Sequence, residues 1–329
     1  MKLSFLSILI KSLKGDSILR NVRMSVRFLL LALIPTVTVH FCHIDSAWSA
    51  ACCGGGFSTP ALIVGDQQAQ LSQSLSRNET IIDRVDTKGI WHPSKSISTL
   101  ETYRLDAAWA FDLAQMGLSI PVLNKQRGSY RYSGLGDLQA SFGYEYLPDW
   151  DYHPWRPKGV GFLQLIIPTG HFSDDTTLAG ADNLGQGHWG LGAGTIFTRN
   201  ISKWDIFTNI DLHHFLPRST RTTNYSGEIQ PGWGGHLGLG FGWNKKDFRI
   251  GSAIEWSYED AMKLQASDSS YNSSGSVEKF ATIILSLAYV PNDEWSYSCS
   301  WADQTLIGDP LNTSLGRTLS ISLQKRWLR

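Results

Sequence analysis

Over most of the chain apolar residues recur at every second position, and turn residues interrupt the alternation at regular intervals. Clear runs are Tyr103-Leu105-Ala107-Trp109-Phe111, Leu138-Ala140-Phe142-Tyr144-Tyr146, Trp189-Leu191-Ala193-Thr195-Phe197 and Trp233-Gly235-Leu237-Leu239-Phe241-Trp243. Further runs are Trp204-Ile206-Thr208-Ile210-Leu212, Ala281-Ile283-Leu285-Leu287-Tyr289, Trp295-Tyr297-Cys299-Trp301 and Leu315-Arg317-Leu319-Ile321-Leu323. A period of two is that of a strand with one apolar face. The intervening face carries Arg104, Asp106, Asp137, Gln139, Glu145, Asp205, Asn209, Asp211, His236, Arg249 and Glu255, with many glycines. A soluble barrel turns its greasy face inward and its charged face out. Here the polar face is glycine-rich and lightly charged, as a lumen wall is. The pattern predicts strands at 69–84, 99–112, 116–124, 134–147, 159–170, 187–199, 203–216, 231–244, 247–260, 277–290, 294–305 and 314–327.

The connections alternate in length. Long ones at 85–98, 125–133, 171–186, 217–230, 261–276 and 306–313 are separated by short ones at 113–115, 200–202, 245–246 and 291–293, and only 148–158 is long where a short one is due. Short turns at one end and long loops at the other predict an all-β, antiparallel, up-and-down transmembrane barrel of about twelve strands. A soluble sandwich has no reason to keep its long loops together.

Aromatic residues of outward parity gather at strand ends. Trp109, Trp204, Trp243, Trp295 and Trp327, with Phe111, Tyr144, Tyr146, Phe197, Phe248 and Tyr289, fall at the short-turn end. Trp189, Trp233, Trp256 and Trp301, with Tyr103 and Tyr258, fall at the long-loop end. Indole and phenol rings prefer the headgroup layer, so two girdles are expected.

Composition agrees with that reading. The chain has 31 glycines, 13 tryptophans and only 18% charged residues, against about 25% in soluble domains. Its 29 basic and 29 acidic residues balance, which gives no reason to expect a nucleic-acid partner. Arg20, Arg23 and Arg27 precede the apolar run from Phe28 to Val39 and the small residues around Ala47 to Ala51. That order predicts a cleaved secretory signal over residues 1–50, with Met24 an alternative start and cleavage near 49–51. A membrane anchor is the other reading of the run, which Pro35 breaks. Residues 51–68 then form an irregular periplasmic segment before a barrel over 69–329. Cys52 follows Ser49-Ala50-Ala51 in a loose lipoprotein pattern and is a candidate acylation site, although the usual leucine is missing. No Cys/His spacing suggests a metal, and nothing suggests a cofactor.

Tyr132-Ser133-Gly134-Leu135-Gly136-Asp137 opens one strand and Leu165-Ile166-Ile167-Pro168-Thr169-Gly170 closes the next. Together they resemble the outer-membrane barrel "transporter" family associated with the phenol meta-cleavage pathway. In that family a GLGD strand start is followed by a PTG strand end, a loop and a glycine-rich strand such as Gly187 to Gly194 here. The resemblance spans residues 99–327 and departs at Cys52-Cys53-Gly54 and at the C-terminus, where Leu328 and Arg329 follow Trp327. It implies a bacterial outer-membrane channel or transporter for a small, hydrophobic or aromatic solute. Its partners would be outer-membrane lipids, the barrel-assembly machinery and that solute.

The polar face supplies the candidate site. Arg104, Asp106, Glu145, Asp211, His213, Arg249, Glu255 and Arg326 are expected to line the lumen and set selectivity. Two other functions compete: a barrel hydrolase and a structural barrel with a filled lumen. His171-Phe172-Ser173 with Asn183 is similar to the His-x-Ser and Asn of outer-membrane phospholipase A, without the rest of that motif. Asp211 and His213, with Asp174-Asp175, are similar to the acid–imidazole groups of omptin proteases; a wall hydrogen bond is the plainer reading. Inward glycines at 190, 192, 194, 234, 238, 240 and 242 serve either strand twist or clearance for something inside. Residues 52–66 combine Gly54-Gly55-Gly56 with Phe57, Ala61, Leu62, Ile63 and Val64. This apolar segment is expected to enter the barrel from the periplasmic end and narrow it.

Overall fold

The computed structural model describes residues 60–328 except 97, 150–154, 175–177 and 224. The signal segment, Met24 and the Cys52-Cys53 pair lie outside the described residues. Period-two segments form twelve staves: β1 (Gln67–Val85), β2 (Ser98–Phe111), β3 (Ala114–Arg127), β4 (Leu138–Leu147), β5 (Lys158–Ile167), β6 (Gly190–Ile201), β7 (Trp204–Phe215), β8 (Trp233–Lys245), β9 (Phe248–Glu259), β10 (Glu278–Asn292), β11 (Trp295–Asp303) and β12 (Thr313–Leu328). Each pairs antiparallel with its sequence neighbours, and β12 returns to pair with β1 from Gln67↔Leu328 to Val85↔Thr313. The sheet is therefore a closed barrel in which the staves satisfy one another's backbone groups. Among the described residues no helix is long and apolar enough to cross a membrane; the crossing is made by strands.

At one end the β2–β3, β6–β7 and β8–β9 hairpins close with Asp112, Ser202 and Lys246 in the left-handed region, at φ of 57°, 56° and 54°. Two-residue hairpin turns need that geometry to match strand twist. At the other end the connections are long, and they are more ordered than their sequence suggests. Tyr130–Leu135 pairs back on β3, and Trp91–Pro93 on β1. The β7–β8 and β9–β10 loops jointly build a separate four-stranded sheet from Arg218–Arg221, Ser226–Gln230, Lys263–Ala266 and Ser273–Ser274. These strands are two to five residues long and mostly polar. No apolar alternation marks them, because they stand outside the layer that demands one.

The outer wall is apolar. Leu163, Leu212 and Ile250 are 55–63% exposed although nothing polar surrounds their strand faces. Trp109, Trp189, Trp204, Trp233, Trp256 and Trp327 are 41–62% exposed on this surface. Trp243, Trp295 and Trp301 are half-buried. Such a surface is stable only against lipid. Cys299 is unpaired and points outward too.

Leu285 is 49% exposed at mid-stave on β10. Leu285→Arg should therefore destabilise the barrel by about 2–4 kcal/mol. Ser300→Arg, which faces inward between Ser286 and Ser320, should cost clearly less. Equilibrium refolding into lipid vesicles, followed by the heat-modifiable gel shift, measures both; equal or reversed costs would mean the faces are misassigned.

Candidate functional site: the barrel lumen

Residues 60–66 run inside the barrel as a strap. Ala61, Leu62 and Ile63 are only 2–8% exposed, though the segment forms no strand. Five of its backbone groups bond to inward side chains of the wall. The Ile63 N–H donates to Gln115 Oε1 at 2.5 Å, and Gln115 Nε2 donates to the Ile63 carbonyl at 2.9 Å. Gln70 Nε2 donates to the Leu62 carbonyl at 2.9 Å and Ser141 Oγ to the Ala61 carbonyl at 3.1 Å. Leu62 and Val64 pack on Phe162 and Ile196, and Ile63 packs on Ala108 and Ala110. Lys158 Nζ holds the exit, donating to the Gly65 carbonyl at 3.1 Å and pairing with Asp66 and Glu145 at 3.3 and 3.2 Å. The strap thus leans on β1 to β6 near the short-turn end.

Clearance explains why glycine stands where it does. A methyl on Gly117 would overlap the Ala61 carbonyl, and one on Gly143 would press on Leu62. Elsewhere the space is taken by neighbouring side chains rather than left bare: Phe162 lies over Gly194, Phe207 over Gly240 and Arg249 over Gly242.

The eight residues expected on the lumen wall all lie on inward stave faces, and four of them, Arg104, Asp106, Glu145 and Arg249, are neutralised locally. Arg104 Nε donates to Asp106 Oδ2 at 3.0 Å. Glu145 pairs with Lys158, and Arg249 grips Asp205 through two bonds of 2.8 and 2.6 Å. Asn244 adds a 2.7 Å bond to the same Asp205. Arg326 differs, since its Nε and Nη2 are buried without a partner among the described residues. Asp211 and His213 meet at 3.1 Å, with His236 and Glu259 beside them and Glu255 on the adjoining stave. Sequence parity placed His236 inward but could not single it out, and Lys158, Gln115 and Glu259 went unnoticed. Their importance comes from cross-stave register, for which one sequence carries no signal.

Of the hydrolase-like arrangements, the Asp211–His213 pair forms at 3.1 Å, while Asn183 and Asp174 are engaged elsewhere. Asn183 is engaged with the Ser173 backbone, accepting from its N–H at 3.0 Å and donating to its carbonyl at 3.2 Å. The His171 ring stacks near Tyr132 at 5.4 Å. Asp174 is held by Arg218 through bonds of 2.7 and 3.2 Å. It therefore serves the loops rather than the Asp211–His213 pair. Asp175 lies outside the described residues.

The GLGD and PTG motifs meet at the long-loop end. Asp137 accepts from the Gly170 N–H at 2.9 Å and the Gln186 N–H at 2.7 Å, while Thr169 Oγ1 donates to the Gly136 carbonyl at 2.8 Å. One carboxylate thus ties the end of β5 to the return toward β6. A second clamp joins that loop to the next: Arg218 bonds Asp174, donates to His188 Nε2 at 3.0 Å and lies 4.2 Å over the Phe172 ring. His188 Nδ1 contacts the Leu216 carbonyl at 2.8 Å. Accepting from Arg218 requires a neutral ring with its proton on Nδ1. Burial, and then the Arg218 charge, hold the His188 pKa below its ordinary value.

Two outcomes follow from these contacts. Gly117→Val should expel the strap, so that a cysteine at position 62, in a background with Cys52, Cys53 and Cys299 changed to serine, reacts several-fold faster with a soluble thiol reagent. Unchanged reactivity would place the strap elsewhere. The clamp should loosen with acid. A lowered folded pKa means that the unfolded loop binds the proton first, so stability is complete above about pH 6.5 and falls as pH drops through the folded value. Limited proteolysis of the 171–189 loop should quicken over that range, and His188→Gln should flatten the profile.

Compared with known proteins, the chain matches no family model and no curated protein. Among solved structures it resembles the COG4313 outer membrane channel from Pseudomonas putida F1, with a TM-score of 0.65 and 13% identity over 82% of this chain and 97% of that one. The Pseudomonas putida toluene transporter TodX is more distant, with a TM-score of 0.43 and 11% identity over 86% of this chain and 98% of that one. The first likeness, together with the closed sheet, makes the fold that of an outer-membrane β-barrel.

Proposed function

We propose that the protein is an outer-membrane channel for small hydrophobic solutes, aromatic compounds among them, narrowed at its periplasmic end by the strap. One observation carries this reading. The inner wall bears an apolar stripe, made by Val160, Phe162 and Ile166 on β5, Ile196 on β6 and Phe215 on β7, each no more than 7% exposed. A water-filled pore for ions gains nothing from such a stripe. An apolar solute does: at Phe162 and Ile196, which Leu62 and Val64 of the strap cover, it would take over those apolar contacts as it displaces the strap. Toward the short-turn end the charges Arg104–Asp106, Glu145–Lys158 and Arg249–Asp205 are paired within the wall, so there they present hydrogen-bonded neutral groups rather than a strong field. The similar Pseudomonas putida F1 protein is an outer membrane channel, which supports the same reading.

In this reading Arg104, Asp106, Glu145, Asp211, His213, Arg249, Glu255 and Arg326 shape the polar half of the path. Arg326, whose Nε and Nη2 have no partner among the described residues, is its strongest feature for a solute that carries an acceptor group. The nine girdle tryptophans anchor the barrel in its lipids. A cleaved signal delivers the chain to the periplasm, and the barrel-assembly machinery inserts it.

Deleting residues 54–66 should raise single-channel conductance several-fold and speed uptake of a radiolabelled monoaromatic hydrocarbon by proteoliposomes, with the gel shift intact. Unchanged conductance and uptake would reject the strap as the constriction. An intact barrel that admits small sugars as fast as the hydrocarbon would reject the hydrophobic selectivity.

A further inference from the structure

Toward the long-loop end, β7 and β8 bring two imidazoles and a carboxylate to one point on the inner wall. Asp211 and His213 alternate on β7, and His236 lies opposite Asp211 on β8. Asp211 Oδ1 is 3.1 Å from His213 Nδ1 and 3.1 Å from His236 Nδ1. The two rings stack with centroids 5.2 Å apart. Candidate donor atoms of all three residues lie within 4.8 Å of one another. We propose that Asp211, His213 and His236 form a binding site for a divalent transition cation such as Zn²⁺.

The spacing is the first support. Ligand bonds of about 2.0–2.1 Å in a tetrahedral site place neighbouring donor atoms about 3.3 Å apart. Asp211 Oδ1 already sits close to that separation from each imidazole nitrogen, and with all three donors within 4.8 Å of one another side-chain rotation alone would complete the site. Three protein ligands leave a fourth position open to the lumen.

The tautomer is the second support. His213 Nε2 lies 2.7 Å from Glu259 Oε1. A neutral ring that donates there presents the lone pair of Nδ1 to a carboxylate oxygen, and two acceptors then face each other. A cation between them, in place of a second ring proton, removes the conflict. An acid behind a ligating histidine is also the usual way a protein orients that ring toward a metal. Gly234 makes the arrangement feasible, because a methyl there would overlap both His213 Nε2 and the Glu259 carboxylate.

Charge is the third. Glu255 lies near enough to interact with both Asp211 and His236, and Glu278 is register partner to Glu259. Asp211, Glu255, Glu259 and Glu278 thus concentrate four carboxylates in one sector. None of them bonds to a lysine or arginine among the described residues. Lower in the barrel the pattern is the reverse: Asp106, Glu145 and Asp205 each have a basic partner. A bound cation would supply the missing positive charge and join β7 to β8 across the wall. This proposal holds whether or not the barrel conducts.

Zn²⁺ titrated into the untagged, refolded barrel tests it by equilibrium dialysis. One equivalent should bind. His236→Asn and Asp211→Asn should each weaken binding at least tenfold while keeping the heat-modifiable shift, and Glu259→Gln should weaken it about 10–100-fold. Co²⁺ in place of Zn²⁺ should give visible d–d bands without a thiolate charge-transfer band, which separates this site from the Cys52-Cys53 pair. No saturable binding would overturn the proposal; the two imidazoles and Asp211 would then share protons only. Binding that survives both the His236 and Asp211 variants, or a thiolate band, would also overturn it.

Discussion

Closure of the sheet is the constraint on which everything else rests. In hydrocarbon an unpaired N–H or C=O has no water to turn to, and each would cost several kcal/mol. The pairing of β12 with β1 removes the two edges that any open sheet would leave, and it does so over nearly the whole of both staves, from Gln67↔Leu328 to Val85↔Thr313. Once the ring is closed, alternation acquires a fixed meaning. Alternate positions along each stave become lipid and lumen, and a slip of one residue would reverse every face. Register, side-chain placement and the polarity of the interior all inherit their definition from that seam.

The interior is then a problem of filling a narrow space lined by two kinds of surface. On the β5–β6 side, Phe162 and Ile196 offer an apolar wall, and Leu62 and Val64 of the strap cover it. On the adjoining β7–β9 wall the Asp205–Arg249 pair lies across Gly242 of the stave between them. Glycine is what allows both. A Cβ at Gly117 or Gly242 would occupy the volume that the Ala61 carbonyl and the Arg249 guanidinium use. The strap has no strand partner, so its carbonyls and amides depend on Gln70, Gln115 and Ser141. Three side chains of the wall therefore substitute for a backbone ladder. A segment held this way is displaced at lower cost than a stave.

The long-loop end follows different rules because water reaches it. Its order comes from side chains that capture backbone or one another: Asp137 on the Gly170 and Gln186 amides, and Arg218 on Asp174 and His188. The GLGD and PTG motifs acquire a physical meaning here. They are the two halves of one capped junction, with the aspartate as the cap and the glycines giving it room. The same motifs therefore report how two staves are joined, and they are silent on what passes between them.

The sequence by itself determined the properties that depend on neighbours along the chain. Alternation marked which face of Tyr103 to Phe111 or Trp233 to Trp243 is apolar, turn residues marked where staves end, and the segregation of long from short connections marked the two sides of the membrane. Even the strap was legible, since Ala61 to Val64 are too apolar for a free tail and too irregular for a strand. Only the tertiary structure decided what meets across staves. His236 stands 23 positions from His213 in the chain, yet the rings stack because β7 and β8 pair in one register rather than another. Lys158 on Glu145, Gln115 on Ile63 and the two loops that merge into an outer sheet are contacts of the same kind. Period-two patterning fixes the direction of each side chain, but the shear between staves is set by the whole closed ring, and no local stretch of sequence encodes it.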